Sequence, residues 1–170
     1  MFKKIPLLLL VCCAFMILPT TLPAAAADPK PVVIDSDMTS DDYMATLYLL
    51  NNPDVSVKAI TVTGTGWAFC DAGVRAAQGL VALAAYASDV PVSCWTDKPL
   101  LGDSPVPDDW RTTMAGVDAL KLPEGGAKTD LNAVDLFTKT IQDSPEKVTV
   151  LALGPLTNVA QALTTTPALV

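Results

Sequence analysis

The sequence predicts an α/β protein, a mainly parallel sheet flanked by helices, and three observations predict it. From residue 31 onward, short apolar runs alternate with longer segments of helical pattern, the order expected of a parallel sheet covered by helices. The first such run, PVVI, reads as a short buried strand. The carboxyl ends of the runs carry Asp, Thr-Gly or Gly-Pro, residues suited to the ligand-facing rim of such a sheet.

Each element follows from its pattern. Residues 31–35 form the first strand. In the helix expected over 41–52, the apolar residues Met44, Leu47 and Leu50 fall on one face. A strand over 56–63 leads to a helix over 70–86, rich in Ala, Leu and Val on most sides and therefore expected to be well buried. A short strand over 91–94 precedes the one long irregular stretch, 103–129, dense in Pro, Gly and Asp. A connection of that length within a compact domain is a functional flap or a flexible insert. A helix over 130–142, a strand over 147–153 and a helix over 155–163 complete the pattern. Internal repeats and low-complexity tracts are not evident.

The first 27 residues read as a secretory signal peptide. Lys3 and Lys4 precede an apolar stretch over 7–18, too short for a membrane span, and the Ala run at 24–27 offers a cleavage site after Ala27. The expected location is thus secreted or periplasmic. Cys12 and Cys13 raise a lipoprotein alternative, which the Val11 context disfavours, so no stable membrane anchor is expected. The formal charge of −7 disfavours nucleic acid as a partner. The chain has no histidine, which excludes a Ser-His-Asp triad and a Cys-His protease within these residues. Cys70 and Cys94 remain after cleavage. An oxidising compartment permits a bridge between them, and two separate buried thiols are the alternative.

The most informative segment is VVIDSDMTSDDYMATLYLL, where Asp35, Asp37, Asp41 and Asp42 end an apolar strand and open a helix. Four carboxylates expected to share one small volume raise one another's pKa unless positive charge joins them. A helix N-terminus supplies only about half an elementary charge, so a hard cation with oxygen ligands is the economical explanation. The plain alternative is an acidic cap and turn, but one or two Asp meet that need. An EF-hand loop fails, because Ser40 stands where that loop needs Gly and Thr46 where it needs Glu. DSDMT also fits the Asp-x-Asp-x-Thr signature of haloacid-dehalogenase-like phosphatases, which leaves a secreted phosphatase as the alternative enzyme. A non-catalytic calcium- or nucleoside-binding module is the third reading.

The longer string resembles the amino-terminal motif of the inosine-uridine-preferring nucleoside hydrolases, Asp-x-Asp-x-Gly-x-Asp-Asp after an apolar strand, with all four acidic positions matched. The stretch from AITVTGTGWAFC to the Lys-Pro-Leu turn, and VTVLALGPLTNVAQAL, resemble later family segments in the right order. The resemblance implies a nucleoside-hydrolase-like, Rossmann-like fold over residues 28–170, with a flap at about 103–129. It implies calcium-assisted hydrolysis of the N-glycosidic bond of ribonucleosides, and a possible homo-oligomer. Carried over residue by residue, Asp37 is the base and a calcium ligand, Asp42 the bidentate ligand and Asp41 the ribose contact. Asp35 supports the metal shell, and the main-chain carbonyl of Leu153 is a further ligand. Thr65 stands near the substrate where the family commonly has Asn.

Departures are visible too. Thr39 replaces a family Gly, which points to a changed backbone angle there. Family chains also continue further, with another Asp ligand, ribose-binding residues and, in many members, a His. The chain therefore reads as an amino-terminal part of such a hydrolase, and residues 28–170 alone are not expected to turn over substrate. Gly64, Gly66 and Gly154 permit close backbone approach to a ligand. Trp67 is placed to stack on a base or ribose, although a plain core or rim role is the simpler reading for it and for Trp95 and Trp110.

Overall fold

A computed structural model describes residues 28–84, 89–114, 120–127 and 129–169. Residues 1–27, where a signal peptide is expected, lie outside the described residues.

Strand β1 (Lys30–Ser36) leads through a short turn into helix α1 (Ser40–Leu50), and β2 (Val55–Val62) is followed by α2 (Cys70–Leu83). After β3 (Val92–Cys94) come α3 (Asp108–Met114), α4 (Ala133–Gln142), β4 (Thr149–Ala152), α5 (Thr157–Thr165) and a 3-10 turn at Pro167–Leu169. The four strands form one sheet in the order β3-β2-β1-β4, and every pairing is parallel. That is the predicted fold class.

Central position explains why residues 31–34 of β1 are all apolar and buried on both faces. Val32 and Ile34 face one core with Ile60, Val62, Leu50 and Leu80. Val33 faces the other with Ala59, Phe137 and Ala162. A register shift between Val32 and Val33 passes over Lys58, which stays exposed while its neighbours Val57 and Ala59 are buried. A bulge of this kind lets one charged residue leave a buried strand without breaking the ladder further along.

The order also fixes where a ligand belongs. The chain runs outward from β1 through β2 to β3, then crosses to pair β4 with the other side of β1. The crevice beyond the carboxyl ends of β1 and β4 is thus the topological switch point, the usual ligand position in open parallel sheets. Asp35 pairs in register with both Thr61 and Ala152, so it stands at the mouth of that crevice.

Three expectations need correction. Helix α1 buries Tyr43, Thr46 and Leu50, whereas Met44 is 70% exposed. The helix is turned so that Asp42 also faces inward; of the expected stripe, Leu50 is buried and Leu47 packs against the core, and Met44 is the residue that departs. Second, the stretch 103–129 is not structureless, since it holds α3 and a bridge between Pro91 and Ala127. Third, α4 starts at Ala133, later than expected, because Asn132 caps it by accepting the Asp135 N–H at 3.0 Å. The expected end of α2 at residue 86 falls outside the described residues.

Candidate functional site

The turn between β1 and α1 is built from its own side chains. Ser36 Oγ donates to Asp42 Oδ2 at 2.6 Å and accepts the Met38 N–H at 2.9 Å. Met38 sits at φ 59°, in the left-handed region that non-glycine residues avoid. Thr39, in contrast, has φ −71° and ψ 169°, so the Gly-to-Thr departure carries no unusual angle. The unusual angle falls one residue earlier. Its side chain is fully buried, and that packing holds the conformation in place.

Asp35 is fully buried. Its Oδ1 accepts from Thr61 Oγ1 at 2.6 Å and from Asn158 Nδ2 at 2.8 Å, while Oδ2 has no partner. Burial pushes its pKa up to about 6, against the lowering effect of the Thr61 and Asn158 bonds. Asp37 follows the strand, and its Oδ2 accepts the Trp67 N–H at 3.1 Å. Its pKa is also pushed up to about 6, first by burial and further by the nearby Asp42 charge, while the Trp67 bond opposes the rise. Asp42 is itself buried at the first turn of α1.

Asp41 behaves differently. It accepts from Thr39 Oγ1 at 2.5 Å on the exposed side of the turn, and that bond lowers its pKa. The four carboxylates therefore do not share one small volume, which corrects the sequence expectation. Among the described residues, no three His, Cys, Asp or Glu side chains gather as a ready-made metal cage. At the start of α1, Asp42 is buried while its neighbour Asp41 is exposed.

The turn after β2 closes the crevice from the other side. An added Cβ at Gly66 would overlap the Asp37 side chain, and one at Gly154 would lie 2.9 Å from the Asp37 backbone nitrogen. These two glycines let the loops after β2 and β4 lie against Asp37. Thr65 is buried, and its hydroxyl lies 2.8 Å from that of Thr157 and 3.2 Å from that of Thr63. The Leu153 N–H donates to the Asp35 carbonyl at 2.8 Å, which brings the end of β4 beside the acidic turn.

Sequence reasoning missed three residues here. Asn158 lies within the quoted Gly-Pro-Leu-Thr-Asn string, and its amide bonds both Asp35 and the Val62 carbonyl at 3.0 Å. Ser36 stands between Asp35 and Asp37, and its hydroxyl orients a third motif aspartate, Asp42. Arg111, in the supposed flap, donates to the Gly64 carbonyl. Cys70 and Cys94 form a disulfide with Cα atoms 5.5 Å apart, joining the start of α2 to the end of β3.

The donor chemistry suits a hard cation. Every candidate ligand is an oxygen, Asp37 and Asp42 repel each other, and Asp35 Oδ2 is a buried oxygen without a partner.

A parallel α/β sheet with buried carboxylates at its switch point has the layout of the open α/β proteins whose ligand crevice lies there. Its fold matches an inosine-guanosine nucleoside hydrolase and a plant nucleoside hydrolase, each at TM-score 0.68 and 28% identity over 83% of this chain. The matches cover 43% and 44% of those chains. The inosine-uridine preferring nucleoside hydrolase profile matches residues 32–170, and the chain belongs to that family. Among its relatives is the pyrimidine-specific ribonucleoside hydrolase RihA of Citrobacter koseri, 37% identical over 82% of this chain. The same enzyme from Salmonella arizonae is 36% identical over the same share. The chain spans 44% of the length of each of these two relatives. Family membership does not favour the phosphatase reading of DSDMT.

Proposed function

We propose that the acidic crevice is an N-ribohydrolase site that cleaves the bond between base and ribose in nucleosides with the help of calcium. The observation that carries this reading is Asp37, buried at the switch point, oriented by the Trp67 N–H and raised to about 6. A base with a pKa near the working pH is suited to accept a proton from water.

Asp37 takes one proton from a water molecule whose oxygen bonds to the anomeric carbon as the glycosidic bond breaks. The bond electrons leave with the base. Asp41, exposed at the rim, is the ribose-hydroxyl contact, and the Thr65 segment forms the neighbouring wall. Asp37, Asp42 and the Leu153 carbonyl are the groups that would hold calcium, with Asp35 behind them. A divalent ion, when bound, lowers the pKa of a water and orients hydroxyls.

The Cys70–Cys94 bridge supports an oxidising location. With the Lys-apolar-Ala pattern of the first 27 residues, it favours export through a cleaved signal peptide, with the nucleoside as partner and a possible homo-oligomer. The deciding experiment is a calorimetric calcium titration of the parent and of Asp42→Ala, with inosine and uridine binding measured in each. Calcium binding that Asp42→Ala weakens, and nucleoside binding that depends on calcium, are expected. Equal calcium affinity in both proteins would sink the site.

A further inference from the structure

The segment from Ser104 to Arg111 grips the turn after β2 at three points. Ser104 Oγ donates to the Thr65 carbonyl at 2.9 Å, and Arg111 Nη2 donates to the Gly64 carbonyl. Trp110 stacks on Trp67 with ring centroids 5.8 Å apart. Arg111 is only 2% exposed, and a buried guanidinium is costly unless it is paired and hydrogen-bonded. Its two Nη groups are paired, while its Nε has no partner. The Phe69 ring lies 3.8 Å from the guanidinium carbon, with Asp108 at 3.4 Å and Asp97 at 3.9 Å. Asp97 Oδ1 in turn accepts the Cys70 N–H at 2.6 Å, at the helix end that the disulfide ties to β3.

On its inner side, the same turn holds Asp37. The Trp67 N–H donates to Asp37 Oδ2, and the Ala68 N–H donates to the Asp37 carbonyl at 3.0 Å. A continuous path therefore runs from the guanidinium through residues 64–68 to the candidate base. We infer that Arg111 is a positioning residue for Asp37: by fixing the turn after β2, it fixes the N–H group that orients the carboxylate. The inference rests on the reading of Asp37 as the base. Lysine at this position would keep the charge beside Asp97 and Asp108 but lose the planar stack on Phe69 and the forked donor geometry.

The test is amide hydrogen exchange on the full chain, comparing the parent with Arg111→Met and Arg111→Lys. In Arg111→Met, exchange at residues 65–68 should speed up by about tenfold or more, the scale of losing a hydrogen bond from a charged donor. Amides in β1 and β2 should keep their parent rates. Arg111→Lys should fall between, and it carries the same comparison if Arg111→Met does not fold. Added guanidinium ion should restore protection of the turn in the Met variant. Unchanged exchange in the turn would overturn the inference, and so would an equal rise in turn and strands, which marks a merely structural role. Inosine and uridine affinity, read in parallel, separates the two ideas. If the parent binds no nucleoside, the hydrolase reading fails while the exchange pattern still decides the role of Arg111. If the parent binds nucleoside but exchange in the turn is the same in parent and variant, the positioning inference fails while the hydrolase reading stands.

Discussion

The turns after β1 and β2 meet at Asp37, yet they are held in opposite ways. The first is braced from within: Ser36 bonds Asp42 and the Met38 N–H, and Met38 keeps a left-handed backbone under a buried side chain. The second, Thr-Gly-Thr-Gly-Trp, is neutral and small, and it is braced from outside by Ser104, Trp110 and Arg111, about forty residues further along the chain. Charge sits in the self-braced turn, where Ser36 fixes Asp42 locally while Asp37 leans on the Trp67 N–H of the second turn. The externally braced turn supplies the wall, and its shape depends on a remote segment.

The largest test of this contrast removes the charge from the first turn. Asp37→Asn keeps the side-chain shape, so ribose release in an active form should fall by roughly 100-fold or more, the scale of losing a general base. A loss of a few fold, measured by base release, would place the base elsewhere. The chromatographic assay needs matched calcium in both proteins.

Acidity separates the two turns next, because only the first carries titrating groups with raised pKa values. Asp35 and Asp37 hold protons in the fold up to about pH 6 but release them near the ordinary carboxylate value when unfolded. Between those values the folded state binds more protons, so stability is expected to fall as pH rises from about 4 to about 6. For Asp35 alone the loss approaches 3 kcal/mol at most, by the conversion of about 1.4 kcal/mol per pKa unit. Urea unfolding of the calcium-free protein at both ends of that range checks the slope, and Asp35→Asn should flatten it. A slope of opposite sign would mean that the carboxylates are paired in a way the fold does not show.

Asn158 braces Asp35, at the end of β1, from α5, so its loss tests the strand end that leads into the self-braced turn. Asn158→Ala takes a donor from buried Asp35 and should cost about 1.5–3 kcal/mol, the range for hydrogen bonds to charged groups. Thermal unfolding at pH 7 measures it. The smallest effect belongs to Asp41, which faces solvent. Asp41→Ala should leave stability nearly unchanged, as is usual for an exposed side chain, while nucleoside affinity drops as the rim loses the proposed ribose contact. Unchanged affinity would remove Asp41 from the site.

The sequence alone determined the parallel α/β class, the element order and the place of the acidic turn. These follow from local facts: apolar period, Gly and Asp at strand ends, and the coupling of a strand to the helix after it. It also carried the family motif at residues 35–42 and the Gly-Pro-Leu-Thr-Asn string. Only the tertiary structure decided that Asp41 and Asp42 part company, because helix rotation about the core sets which neighbour points inward, and Met44 gave the wrong face. It alone joined Cys70 to Cys94, seated Asn158 on Asp35 and carried Arg111 back to Gly64. Those contacts link residues 24, 123 and 47 positions apart. Chain closure over such distances is fixed by sheet order and packing, and no local pattern records it.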